Sequence, residues 1–205
     1  YTFSHKWYSS ATWKYKLNYE VKSTNSSSSD FSARAQAASI PQLSWPCSAR
    51  GINLYFGDDW SSYATKCTNL QWKHTGIDIN ASAGSAVYAA EAGTVRVSQP
   101  SNSDWQDWIT IEHKDSRGNK YTTVYWHLKN RKVQTYDKTK TVTRGQQIAE
   151  VADWGSRSHL HFGVRNASYS NTSNRGGLPT TKCSASGMTS ADVWQANFVN
   201  PRDYL

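Results

Sequence analysis

Apolar and polar residues alternate with a period of two along much of this chain, and that alternation predicts strands. Trp13, Tyr15, Leu17, Tyr19 and Val21 alternate with Lys14, Lys16, Asn18 and Glu20, which predicts a strand near the start. Residues 23–32 are Ser-rich and read as a flexible link or long loop. Ala33–Ala38 suggests a short helical turn ahead of Pro41, and Leu43–Cys47 and Gly51–Gly57 an opening strand and its continuation. Residues 58–71 read as a polar, aromatic loop. Beyond it, Ile77–Ile79, Gly84–Ala90, Gly93–Val97, Trp108–His113, Tyr121–His127, Thr141–Thr143, Gln147–Val151 and His159–Val164 are strand-like, with Gly-bearing turns between them. Trp108–His113 and Tyr121–His127 read as a hairpin around a turn at Asp115–Asn119. A polar loop at 166–190 and the stretch Asn200–Leu205 close the chain. Strands at this spacing, with no competing amphipathic helix, predict an all-β fold.

Composition refines this picture. The chain has 205 residues, enough for one domain with extensions. The expected division is an N-terminal strand and linker over 1–35 and a main domain over 36–205. Ten Trp, twelve Tyr and a single Met favour strands and polar loops over helices. The formal charge is +8, which draws a surface to polyanions without saying which. Nucleic acid calls for a concentrated basic stripe, whereas here the charges are scattered through Lys6, Lys14, Lys16, Lys22, Lys129, Arg131, Lys132, Lys138 and Lys140. No specific nucleic acid is expected, and a bacterial wall, with its carboxylates and anionic polymers, would attract such a surface equally well. No run reaches the ~18 apolar residues of a transmembrane segment. The chain opens at Tyr1 rather than Met, which suggests removal of a leader. Cys47, Cys67 and Cys183 form no close pair of the kind that holds structural zinc. In an exported protein a disulfide between Cys47 and Cys67 is expected, closing a short loop ahead of His74 and leaving Cys183 over; buried free thiols are the alternative.

Candidate chemistry clusters around three short segments. In His159-Leu160-His161-Phe162-Gly163-Val164 the two imidazoles share one face of a strand, about 6–7 Å apart, with Leu160 and Phe162 on the other. That spacing suits one histidine on a metal and the other beside it, handling a proton of water. His74-Thr75-Gly76-Ile77-Asp78 adds an imidazole and a carboxylate, with Gly76 allowing a bend that lets them converge. Tyr125-Trp126-His127-Leu128 adds another imidazole. His74, Asp78 and His161 make a plausible two-histidine, one-carboxylate zinc set, with His127 and His159 as candidate proton carriers. Each segment alone is common; the three in this order are far more specific. The adjacent acids Asp58 and Asp59 are better read as loop residues.

With these motifs the chain resembles the lysostaphin/LytM-type zinc endopeptidases of bacterial cell walls. The resemblance rests on HTGIDI (74–79), GSAVYAAEAGTV (84–95), YWHL (125–128) and HLHFGV (159–164), with WP and INLYFG (45–57) and the closing NPRDYL at its margins, and spans roughly residues 45–205. It implies a compact, mainly antiparallel sheet, a barrel-sandwich hybrid with long loops around a groove. It implies one Zn2+ ion on His74, Asp78 and His161, and His127 and His159 as unligated catalytic histidines, their division of labour open. It further implies hydrolysis of peptide bonds in peptidoglycan stems or cross-bridges by a monomer, secreted or in the cell envelope. His113 reads as structural. The family's Gly/Ser/Thr-rich approach to the last motif is replaced here by ADWGSRS (152–158), which brings Trp154 and Arg157 to the expected substrate groove. Three other readings stand beside this one: a protease of Gly-rich proteins such as elastin, a catalytically dead wall-binding or activator domain, and a nucleic-acid-binding β domain. Retention of the whole His/Asp set argues against the last two.

Overall fold

The computed structural model describes residues 37–58, 74–99, 107–133, 140–169 and 197–205, all within one compact unit, Ala35–Leu205. The strand expected at Trp13–Val21, the Ser-rich link, most of both long loops, Cys67 and Cys183 lie outside the described residues. Among those described there are ten strands: β1 (Ile52–Leu54), β2 (Ile77–Ile79), β3 (Ala86–Tyr88), β4 (Gly93–Gln99), β5 (Asp107–Lys114), β6 (Lys120–Lys129), β7 (Thr141–Val142), β8 (Gln147–Val151), β9 (Leu160–Arg165) and β10 (Phe198–Val199). They join in one antiparallel sheet whose main path runs β1-β2-β9-β6-β5-β4-β7, with β10 on β9 and β8 joining β3 to β6. The sheet is open: β1 and β7 end its path unpaired with each other among the described residues, so the expected barrel-like closure is not formed.

Two expected elements take other forms for identifiable reasons. Ala37 and Ala38 are not helical. The Asn166 side chain grips Ala38 at both main-chain groups, accepting from its N–H at 2.9 Å and donating to its carbonyl at 3.0 Å, so neither is left for a helical bond. Leu43–Cys47 is not a paired strand. Leu43 N–H donates to the Tyr204 carbonyl (2.6 Å) and Ser44 N–H to Ala90 (2.9 Å), and Pro46 has no N–H to extend a ladder. The expected disulfide is also corrected: Cys47 is buried as a free thiol with its sulfur 3.8 Å from the Ala49 carbonyl, and burial pushes that thiol's pKa up. An unionised thiol in an apolar site behaves as a small core residue. None of the helices among the described residues is long and apolar enough to cross a membrane.

Alternation sorts the sheet into two faces. Ile77, Ile79, Ile109, Ile111, Tyr121, Tyr125, Leu160, Phe162 and Val164 belong to the main core, while Val124 and Trp126, with Trp108 packed on them, form a separate cluster. Asp78 and His161 fall between core residues on their strands and so face away from that core. On β6 the phase changes. Trp126 pairs with Trp108 but Leu128 pairs with Asp107, so His127 is an extra, bulged residue, and Leu128 returns to the main core despite its parity with Trp126. A bulge of this kind bends the strand and re-aims a side chain.

Close approach, rather than bending alone, accounts for Gly76. A Cβ there would collide with the Phe162 carbonyl and lie 2.9 Å from His161 Nε2. The chain does bend at Thr75–Gly76, but it is the approach of β9 that demands glycine. Gly76→Ala should therefore lower stability by about 1–3 kcal/mol, as overpacking does, read as a fall in the denaturant midpoint at constant slope.

His113 sits in a buried polar network. Its Nδ1 lies 2.8 Å from the Ala92 carbonyl, to which it donates, and Nε2 lies 2.8 Å from Thr123 Oγ1. Thr123 Oγ1 is 3.1 Å from the Tyr125 hydroxyl, which accepts from Ala90 N–H at 2.8 Å. Burial holds the imidazole below its usual pKa, outweighing the pull of Glu91 and Glu112. Above the unfolded pKa of about 6.5 both states are neutral and this group adds no pH dependence. Below it the unfolded chain takes up the proton first, so stability falls as pH drops. The expected result is a smaller loss of stability between pH 7 and 5.5 in His113→Gln than in the natural protein, measured by denaturant unfolding at each pH.

Candidate metal centre and its flanking histidines

Register brings the central residues together. Asp78 on β2 is directly opposite His161 on β9, between the apolar pairs Ile77–Phe162 and Ile79–Leu160. His161 is in turn opposite Trp126 on β6. His74 reaches the same spot from the bend before β2, where the main chain is tied down: His74 N–H donates to the Asp58 carbonyl (3.0 Å) and Gly57 N–H to the His74 carbonyl (2.9 Å). Asp58 is thus a loop-closing residue, and its carboxylate accepts from Tyr55 N–H at 2.8 Å.

Three ligand-type atoms converge. His74 Nε2, His161 Nδ1 and Asp78 Oδ1 are separated by 2.9, 3.0 and 3.1 Å, and all three residues are buried. His74 Nδ1 lies 3.0 Å from the Tyr55 carbonyl. The other ring nitrogen, Nε2, faces the Asp78 carboxylate. Burial pushes the Asp78 carboxyl pKa up, but the contacts of His161 and His74 with Oδ1 outweigh it and hold the group ionised, well below the usual carboxylate range. Burial lowers the His161 pKa below its usual value and so favours the neutral ring, against the pull of the Asp78 carboxylate. Two imidazole nitrogens and a carboxylate oxygen facing one point are a donor set for a cation. Ligand bonds of 2.0–2.2 Å at tetrahedral angles separate ligand atoms by about 3.3–3.6 Å, so the three need part by only about half an ångström to fit. The cluster is compatible with a mononuclear zinc site.

Two further imidazoles flank it. His159 precedes β9; its Nδ1 lies 2.7 Å from the Arg157 carbonyl and its Nε2 3.6 Å from Asp78 Oδ2. His127 is 4% exposed and has a left-handed backbone (φ 65°), a conformation costing a non-glycine residue on the order of 1–3 kcal/mol. Its ring stacks on Trp126 (centroids 4.6 Å, 14°) and packs on Trp154 (4.5 Å) and His159 (4.4 Å). His127 Nδ1 is buried with no hydrogen-bond partner. Burial, reinforced by His159 and His161, drives its pKa far below the usual value, so the ring is neutral. Trp154 is half-buried and Arg157 exposed, both on the turn Gly155–Arg157 or at its edge.

All five expected His and Asp residues thus lie in one cluster, whereas Asp58 and His113 serve the scaffold. The structure adds participants that carried no side-chain signal: the carbonyls of Tyr55 and Arg157, which orient His74 and His159. Trp126 is another. Regular alternation places it and His127 on opposite faces, and only the bulge lets them stack.

Comparison with known proteins gives the same region. The sequence is similar to outer membrane antigenic lipoprotein B of Histophilus somni, 36% identical over 91 residues, which cover 44% of this chain and 25% of that protein. It is also similar to the uncharacterized lipoprotein YgeR of Escherichia coli K12, 27% identical over 145 residues, covering 70% and 54% respectively. The chain therefore spans a quarter and about half of the lengths of these curated relatives. Among solved structures it is similar to a zinc-containing peptidase from Vibrio cholerae (27% identity, TM-score 0.48, 65% of this chain and 39% of that one). It is likewise similar to the catalytic domain of lysostaphin from Staphylococcus simulans (18% identity, TM-score 0.49, 75% and 90%). The sequence profile of peptidase family M23 matches residues 72–174, just over half of the chain. That span takes in His74, Asp78, His127, His159 and His161, and the chain belongs to peptidase family M23.

Proposed function

We propose that this protein is a zinc-dependent endopeptidase that hydrolyses peptide bonds in the stems or cross-bridges of peptidoglycan. The observation that carries the reading is the convergence of His74 Nε2, Asp78 Oδ1 and His161 Nδ1 within 3.1 Å, with the His127 and His159 rings beside them. In this reading His74, Asp78 and His161 hold one zinc ion, which would polarise the scissile carbonyl and acidify water. Arg157 and the outer edge of Trp154 border the substrate groove. The lipoprotein names of the two curated relatives favour a place outside the cytoplasm.

Tautomers support a division of labour between the flanking histidines. His159 donates Nδ1–H to the Arg157 carbonyl, which leaves Nε2 bare and fit to take the proton of the attacking water. His127 Nδ1 has no acceptor, and a buried N–H without one is rarer than an unsatisfied lone pair. The proton then sits on Nε2, where it donates to the oxygen that gains charge in the tetrahedral state. Asp78 stays ionised throughout, and His127 and His161, held below their usual pKa by burial, stay neutral.

His159→Ala should retain zinc and lose about 10²–10⁴-fold in kcat, the usual yield of a general base. His161→Ala should lose zinc and activity together, checked by metal analysis alongside turnover. The direct test is mass spectrometry of fragments released from purified sacculi of differing cross-bridge chemistry, with and without a zinc chelator. Chelator-sensitive release of defined peptide ends supports the reading and names the bond. Zinc bound without release from any sacculus, but with cleavage of elastin, points to a protein substrate instead. Absence of both zinc and release overturns the peptidase reading.

A further inference from the structure

Each flanking histidine is oriented differently, and one turn is common to both. His159 is fixed by a hydrogen bond to the Arg157 carbonyl. His127 has no bond at Nδ1, so that end of its ring is held by faces alone. Its main chain is secured, since Ala152 N–H donates to the His127 carbonyl at 2.8 Å, but rotation of the ring is limited only by what packs on it. Trp126 is its chain neighbour and moves with the strand. Trp154 comes from elsewhere, 4.5 Å away at an interplanar angle of 49°, and also lies 5.6 Å from the His159 ring.

Trp154 is itself held by the turn. Its main-chain N–H donates to Ser158 Oγ (2.8 Å), the Ser158 hydroxyl donates to the Gly155 carbonyl (2.9 Å), and Gly155 N–H donates to Asp153 Oδ1 (2.9 Å). Gly155 has φ 59°, a backbone that favours glycine and lets the turn close under Ser158, which is buried. The residues that carry the Arg157 carbonyl to His159 therefore also carry the indole to His127.

We propose that Trp154 is a positioning residue that holds the His127 ring in place, so that the turn 153–158 sets both flanking histidines at once. This rests on the peptidase reading above. Removing the indole leaves a void on one face of a ring whose buried nitrogen is unanchored, and the ring is then free to swing away from the reacting atoms. A displacement of about 1 Å at such a centre can cost on the order of 100-fold in rate.

The test compares the zinc-loaded natural protein with Trp154→Ala and Trp154→Phe, using carbethoxylation of histidines by diethyl pyrocarbonate, mapped by mass spectrometry, and steady-state kinetics. His127 should resist the reagent in the natural protein and in Trp154→Phe, and react faster in Trp154→Ala. In Trp154→Ala kcat should fall about 10–100-fold with KM within about twofold, and Trp154→Phe should restore most of the rate. Zinc stoichiometry should be the same in all three. Unchanged His127 labelling in Trp154→Ala overturns the proposal, as does a raised KM at unchanged kcat, which would make Trp154 a substrate contact only. Loss of zinc in Trp154→Ala also overturns it, in favour of a scaffold role. Should Trp154→Ala not fold, Trp154→Val leaves part of the same void and carries the same expectations. Labelling needs no substrate, so a natural protein that cleaves no peptidoglycan would sink the peptidase reading while leaving this proposal to stand or fall on labelling.

Discussion

Asp78 and His161 face each other across two antiparallel strands, and the apolar residues on either side of each are what keep them there. Ile77, Ile79, Leu160 and Phe162 are fully buried on the opposite face. A slip of β2 by one residue would put Asp78 into the core and Ile77 and Ile79 out of it, and a slip of β9 would do the same with His161, Leu160 and Phe162. Burial of an aliphatic or aromatic side chain is worth roughly 1.5–3 kcal/mol, so the hydrophobic effect fixes the register far more firmly than the polar contacts could. Metal-type geometry here is a by-product of core packing on the reverse face. Gly76 completes the constraint, since without it the bend carrying His74 could not lie against β9.

A second constraint works against stability. His127 occupies a left-handed backbone at a bulge, flanked by Trp126, Trp154 and His159. The strain is contained because β6 continues into the main core at Leu128 and pairs with β8 beyond it. What the strand gives up in regularity it regains as a side chain aimed at the candidate metal centre. Strain at such a position is where function and folding part company.

Much of this was legible in the sequence, and the remainder was hidden for physical reasons. The all-β character and most strand positions follow from period-two alternation, because the sheet has two differently filled faces. The His74, Asp78, His127, His159 and His161 set stood out because each lies in a short, ordered motif. The bulge was invisible: Tyr-Trp-His-Leu reads as unbroken alternation, and no glycine marks the left-handed residue. The Cys47–Cys67 bridge was inferred from loop length, whereas Cys47 packs as a small apolar residue. The opening segment looked like a strand, yet its hydrogen bonds go singly to Tyr204 and Ala90, contacts that no local pattern encodes.

His74 and His159 are each oriented by a main-chain carbonyl, of Tyr55 and Arg157 respectively, and both of those residues have exposed side chains. Any amino acid supplies the same carbonyl. Positions 55 and 157 can therefore change identity, and with it the chemistry they offer to the surroundings, without altering the groups that steer the imidazoles. Orientation is written in the backbone, which leaves the two exposed side chains outside that duty. Substitution at either position changes the surface beside the cluster while the two imidazoles keep their hydrogen-bond partners.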